Sequence, residues 1–222
     1  SSDLYQDQLD RQIAPLGLKA MEALAPASGE VVLDIGCGCG QTTLELAERV
    51  AGTGAVTGVD ISAPMLEVAR ARAVPAKACK PEFLQSDAQT ADLGQGQFDA
   101  IFSRFGVMFF SDPTAAFINL RRALKPGGRL AFVCWRPFQD NPWMRDPLVA
   151  ALPFLPAMPA ADPTAPGPFA FADADRVRTI LTDAGFEAVT VEPFDASIGG
   201  SSIAQTVELA FKVGPLDRKS VV

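Results

Sequence analysis

Val31-Val32-Leu33-Asp34-Ile35-Gly36-Cys37-Gly38-Cys39-Gly40 decides how this chain is read. A short apolar run ends in an acid and passes into three glycines alternating with two cysteines. Gln41-Thr42-Thr43-Leu44-Glu45-Leu46-Ala47-Glu48-Arg49-Val50 follows at once, with its apolar residues at helical spacing. The pattern predicts a buried strand, a tight turn and a helix N-terminus, which together open a nucleotide-binding α/β unit. The glycine spacing narrows the kind. A dinucleotide fingerprint would place its third glycine at position 41, which is Gln; here it stands at 40, giving G-x-G-x-G.

Outward from this stretch, strands and helices alternate. Ala55–Asp60 reads as a second strand, rich in β-branched residues. Ser62 and Pro64 open a helix that runs to about Ala73. Glu82–Gln85 and Phe98–Ser103 read as strands three and four. Asp112 and Pro113 open a further helix, and Lys125-Pro126-Gly127-Gly128 stops it. Arg129–Trp135 is a fifth strand and Phe186–Val191 a sixth, with a helix over Asp173–Ala184 between them, stopped by Gly185. Before the first strand, Asp7 to Leu24 is predicted helical but interrupted near Pro15-Leu16-Gly17. Gln205–Lys212 reads as a last helix. The alternation implies α/β class, with a mostly parallel sheet covered by helices on both faces.

The 222 residues fit one domain, with residues 1–25 as a helical cap. Residues 136–172 break the rhythm. They hold nine of the 18 prolines, mixed with Phe138, Trp143, Met144, Phe154, Met158, Phe169 and Phe171. A flexible linker would be polar and rich in glycine and serine. This stiff apolar segment is expected to fold back as a substrate lid.

Composition excludes several classes. A net charge of −7 disfavours a phosphate backbone as partner, so no nucleic acid is expected. Arg121, Arg122, Lys125 and Arg129 cluster in sequence and read as a solvated face. No apolar run approaches the roughly 20 residues a bilayer span needs, and the N-terminus has no signal-peptide pattern. Cys37 and Cys39 are too close for an unstrained disulfide, and with no histidine in the chain no metal site is expected. A reducing, cytoplasmic setting fits these cysteines.

Asp34, Asp60, Asp87 and Ser103 each fall at or just past the carboxyl end of a predicted strand, the edge where open α/β sheets bind ligands. The glycine turn with its preceding acid resembles the first motif of class I S-adenosylmethionine-dependent methyltransferases. Gly58-Val59-Asp60-Ile61-Ser62 is similar to the second motif, Asp87-Ala88 to the third and Phe98-Asp99-Ala100-Ile101-Phe102-Ser103-Arg104-Phe105-Gly106 to the fourth. Leu124-Lys125-Pro126-Gly127-Gly128 resembles the turn before the family's fifth strand. The resemblance covers roughly residues 29–135, and its tone is that of small-molecule enzymes of the ubiquinone-biosynthesis-like (methyltransferase type 11) group.

The resemblance implies a Rossmann-like seven-stranded sheet ordered 3-2-1-4-5-7-6, of which no seventh strand is legible here. It implies S-adenosylmethionine as cofactor. Gly36, Cys37, Gly38, Gly40 and Thr42 would face its aminocarboxylate end, and Asp34 its amino group. Asp60 would accept from the ribose hydroxyls. Asp87 and Ala88 would meet the adenine edge, between Ile61 and Met65. Ser103, Arg104 and Phe105 would lie near the methyl group. Ile61 and Met65 read equally as core. Arg104 reads either as a binder of an anionic substrate or as a rim salt bridge, and Tyr5 as a substrate-side residue of the cap. No catalytic base is assigned. The implied reaction is methyl transfer to a small, apolar acceptor aligned over the ends of strands one and four. An NAD-dependent oxidoreductase shares the first turn and Asp60, and a non-catalytic S-adenosylmethionine-binding protein shares all the motifs.

Overall fold

A computed structural model describes residues 2–155 and 162–198, with side chains from Asp10 onward. The helices are α1 (Ser2–Leu24), α2 (Gln41–Val50), α3 (Ala63–Ala71), α4 (Pro113–Ala123), α5 (Pro142–Ala151) and α6 (Ala174–Asp183). The strands are β1 (Val31–Ile35), β2 (Ala55–Asp60), β3 (Glu82–Gln85), β4 (Phe98–Arg104) and β5 (Leu124–Val133). They form one sheet in the order β3-β2-β1-β4-β5. Every pairing is parallel. That is the first five positions of the expected order. Tyr5 falls on α1, but its side chain lies outside the described part, as does the expected helix Gln205–Lys212.

Alternation along β1 sets the layers. Val32 faces a core with Met21 and Leu24 of α1 and Leu46 and Val50 of α2. Leu33 and Ile35 face the opposite core, with Phe117 and Leu120 of α4 and Val177 and Ile180 of α6. Burial on both faces explains why the strands read as apolar runs rather than alternating ones. Phe117 anchors the second core, with the rings of Phe110, Phe132, Phe171 and Phe186 at 5.7–6.2 Å. Phe171 therefore pins the end of the proline-rich segment to the sheet.

Three expectations change. α1 runs unbroken through Pro15. Pro15 and Arg11, whose carbonyl loses its helical donor, both sit on the exposed face, where water replaces the bond. Phe186–Val191 forms no strand; Ala188 in its middle takes φ 53°, and among the described residues nothing pairs with the second edge of β5. The proline-rich segment holds a helix, α5, which Pro142 starts at its first turn. The caps follow the sequence in position, although Ser62 stands at the start of α3 without a side-chain hydrogen bond. Asp112 accepts from Ala115 N at 3.0 Å. Gly185 takes φ 86° as the stop of α6.

The basic cluster is spent on structure. Arg129 pairs with Glu30 at 2.8 Å, and Lys125 with Asp99 at 2.8 Å. Arg122 pairs with Asp92 at 3.4 Å, and Arg121 Nε donates to Gly185 O at 3.2 Å. Glu30 and Asp99 are held below the ordinary carboxylate range by these partners. All four cysteines are free thiols. Among the described residues no group of His, Cys, Asp and Glu is arranged for a metal ion. No described helix is long and apolar enough to cross a membrane.

Candidate cofactor site

The turn after β1 is built by close backbone approach. Gly36, Gly38 and Gly40 all have positive φ, where a side chain is strained. At Gly36 space is lacking too: a Cβ would sit 2.6 Å from Gly106 Cα, beyond the end of β4. Gly106 is equally closed, since its Cβ would lie 2.6 Å from Ile35 O. The two loops therefore meet backbone to backbone. Ser103 locks the meeting, donating from Oγ to Ile35 O at 2.7 Å and accepting from Gly106 N at 3.2 Å. Its hydroxyl is wholly buried. Ser103 thus acts from behind the crevice rather than inside it.

Asp60 organises the neighbouring loop. Gly38 N donates to Oδ2 and Ser62 N to Oδ1, both at 2.8 Å. Each oxygen keeps a further lone pair. Ile61 and Met65 stand beside it, 70% and 37% exposed, so neither is core. Ala88 is buried, and the Asp87 carboxylate is exposed, accepting from Gln89 N at 2.9 Å. An acid with spare acceptors, two bare apolar side chains and a second exposed acid thus line one edge of the sheet.

Asp34 is fully buried beneath the turn. Thr42 Oγ1 and Thr43 Oγ1, in the first turn of α2, donate to its Oδ2 at 2.8 and 2.7 Å. Oδ1 is buried with no partner. Burial pushes the carboxyl up to about 6, against the lowering pull of the two hydroxyls. An unpartnered carboxylate oxygen is what a ligand ammonium would satisfy, so this acid suits the amino end of S-adenosylmethionine. Gly40 offers α2 no capping side chain, which leaves its N-terminus suited to a carboxylate. Cys37 packs inward, 2.8 Å from where a Cβ on Gly58 would be, and burial holds its thiol far above the ordinary range.

Arg104 is engaged elsewhere. Nη1 donates to Gln41 Oε1 at 2.7 Å and Nη2 to Asp10 Oδ1 at 3.0 Å. Asp10 Oδ2 in turn accepts from Arg72 Nη2 at 2.9 Å. This partly buried network ties α1 to α2 and to the end of α3, and it takes up the guanidinium in the manner of a rim salt bridge. Gly17 makes room for it, since a Cβ there would lie 2.8 Å from Arg104 Cδ. Phe105 has φ 62°, a conformation bulky residues avoid, and its ring stacks on Trp135 at 4.1 Å and 10°. Behind this pair a cavity of about 920 Å³ runs along β5. Its lining includes Phe132, Trp135, Trp143 of α5 and Phe194. Gly106, Asp10 and Trp143 were not legible as site residues. Gly106 closes the fourth motif, so its place was signalled; a lone acid on a helix and a tryptophan among prolines carry no such signal.

Comparison with known proteins accords with this geometry. Residues 32–128 match a family described as a methyltransferase domain. The chain is 33% identical over 156 residues to the aklanonic acid methyltransferase of Streptomyces sp. (strain C5), covering 70% of this chain and 66% of that one. It is 34% identical over 115 residues to the demethylmenaquinone methyltransferase of Lactococcus lactis, covering 52% and 46%. The chain thus spans about half to two thirds of the length of these curated relatives. A solved S-adenosylmethionine-dependent methyltransferase from Aquifex aeolicus shares the fold, with a TM-score of 0.57 at 24% identity over 76% of this chain and 78% of that one. With the motifs, the sheet order and these likenesses in agreement, the chain belongs to the class I S-adenosylmethionine-dependent methyltransferases.

Proposed function

We propose that this protein transfers a methyl group from S-adenosylmethionine to a small apolar acceptor. The observation that carries the proposal is the glycine turn bonded to Asp60, whose carboxylate keeps spare lone pairs, with the orphaned Asp34 oxygen beneath the turn. S-adenosylmethionine supplies an activated sulfonium methyl, so the protein need only bind, align and exclude water. In this reading Asp60 takes the ribose hydroxyls on its spare lone pairs. Ile61 and Met65 cover the adenine, and Asp87 with Ala88 reads its edge. The turn Gly36–Gly40 and Thr42 surround the aminocarboxylate, with Asp34 and Cys37 below. Phe105 bounds the methyl end, held by Ser103, while Arg104 fixes α1 as a cap. Residues 136–172 wall the acceptor side as a lid, with the acceptor aligned over the ends of β1 and β4. The relatives' named acceptors, aklanonic acid and demethylmenaquinone, support a small molecule rather than nucleic acid. The free thiols support a reducing, cytoplasmic setting.

Calorimetric titration of S-adenosylmethionine, S-adenosylhomocysteine and NAD⁺ into wild type and Asp60→Ala tests this. We expect micromolar binding of the two sulfur ligands, a loss on the order of tenfold or more in the variant, and no heat with NAD⁺. Binding of NAD⁺, or silence from both sulfur ligands, would overturn the assignment.

A further inference from the structure

Asp34 carries a demand that the folded chain leaves unmet. Its carboxyl is wholly buried, and both bonds it receives go to one oxygen, Oδ2, from Thr42 and Thr43 of α2 at 2.8 and 2.7 Å. Oδ1 is buried with no partner. The charged groups around it do not supply one. Arg104 acts on it from the end of β4, but its Nη atoms are bonded to Gln41 and to Asp10 of α1. Glu45 on α2 repels the charge, and its own carboxyl is pushed up by burial. Asp60, at the end of β2, accepts from Gly38 N and Ser62 N. Cys37, in the turn, is a neutral thiol, since burial holds it far above the ordinary range. The register neighbours of Asp34 are Gly58 on β2 and Phe102 on β4, and neither titrates. An ionised carboxylate in such a place is costly until a cation reaches Oδ1. Two cations fit that chemistry, a proton and a ligand ammonium. They exclude each other, because a protonated carboxyl has no charge to offer an ammonium.

We propose that Asp34 makes cofactor binding proton-linked: the amino end of S-adenosylmethionine takes the place of a proton at Oδ1, and the empty site releases that proton when the ligand ammonium seats. The inference rests on the methyl-transfer reading and adds a regulation of the same site by pH. Burial raises the carboxyl of the empty protein to about 6. Affinity for a ligand carrying the ammonium is therefore full above that value and falls by about tenfold per pH unit below it. Stability of the empty protein runs the other way, because the neutral acid is the better-tolerated form when nothing pairs with it. The pH that strains the empty site is the pH at which the site holds its ligand best.

Calorimetry of S-adenosylhomocysteine and 5′-methylthioadenosine between about pH 5 and pH 7.5 tests this. Both carry adenosine with a sulfur on the 5′ carbon. Only the first carries the aminocarboxylate, whose two charges hold across this range. Titration of Asp60 or Asp87 would move both affinities together, so their ratio isolates the amino end. We expect the ratio, S-adenosylhomocysteine over 5′-methylthioadenosine, to rise about tenfold across the range in wild type. Buffers of different ionisation enthalpy should show release of about one proton per S-adenosylhomocysteine bound at about pH 5. Neither readout needs a variant. In Asp34→Asn the ratio should be flat, and in Glu45→Gln it should still rise. A flat ratio in wild type, binding without proton release, a rise that survives Asp34→Asn or a rise lost in Glu45→Gln would each overturn the proposal. If S-adenosylhomocysteine binds with a flat ratio, the proton linkage alone fails. If neither ligand binds at any pH, the methyl-transfer reading fails with it.

Discussion

Asp34 pairs a buried carboxylate with only one satisfied oxygen, and that has a measurable pH signature. Its folded value is raised from 3.8 to about 6, so between those limits the folded protein holds the proton more tightly than the unfolded chain. Stability from this group is then fullest below about pH 4 and declines as pH rises through 6, by about 3 kcal/mol in all. Asp34→Asn can still accept from both threonines but removes the charge. In urea unfolding from pH 4 to 7.5, the variant should gain on wild type as pH rises and bind S-adenosylmethionine at least about tenfold more weakly. A difference in stability that does not vary with pH would show that Asp34 is not buried as an orphaned charge. At Gly106 the constraint is steric. Gly106→Ala drives a Cβ to 2.6 Å from Ile35 O, so a loss of several kcal/mol, on the order of 3, is expected in the same assay, together with cofactor binding. The sequence revealed acids at strand ends because an apolar run closing on Asp is visible in one dimension. It could not say that Ser103 turns inward or that Arg104 is taken up by Asp10, because the rotamer and the distant partner are set by packing.

At the scale of elements, α1 is fastened to the sheet's carboxyl edge by charge as well as by its apolar face. Asp10 is 4% exposed and sits between Arg104 and Arg72. Removing it leaves Arg104, itself 10% exposed, facing a lost partner in a poorly hydrated place. Asp10→Ala should therefore cost about 3–5 kcal/mol in denaturant unfolding, whereas breaking the exposed Arg178–Asp175 pair by Asp175→Ala should cost less than about 1 kcal/mol. Comparable losses from the two would mean that the network is as solvated as a surface pair. Strands β1 to β4, the heart of β5 and helices α2, α4 and α6 were legible within a few residues, because burial on both faces and glycine or proline punctuation mark them. The predicted break at Pro15 was not real, since a proline on a water-facing surface can be absorbed. Phe186–Val191 has strand composition, but Ala188 in its middle takes φ 53°, a break in strand geometry that composition does not reveal.

Across the whole molecule, two apolar cores on opposite faces of one sheet hold the crevice edge in place. The aromatic core does more than fill space, because Phe117 gathers segments far apart in the chain. Phe110 follows β4, Phe132 lies on β5, Phe171 lies at the end of the proline-rich segment and Phe186 follows α6. The sequence showed that the proline-rich segment was too apolar to be a linker. It did not show where the segment would land, because no local pattern encodes which distant ring receives Phe171. If Phe117 is the residue that couples these segments, truncating it should weaken the fold as one cooperative unit. Phe117 is fully buried, whereas its neighbour on α4, Ile118, is 51% exposed. Phe117→Ala is expected to cost about 3–5 kcal/mol and Ile118→Ala less than about 1 kcal/mol, read from urea midpoints at constant slope. A lower slope for Phe117→Ala would mean that the segments after residue 170 detach before the sheet unfolds, making the aromatic cluster a separable unit. Equal midpoint shifts for the two variants would remove Phe117 from its central place and leave the apolar faces of the helices alone to hold the second core.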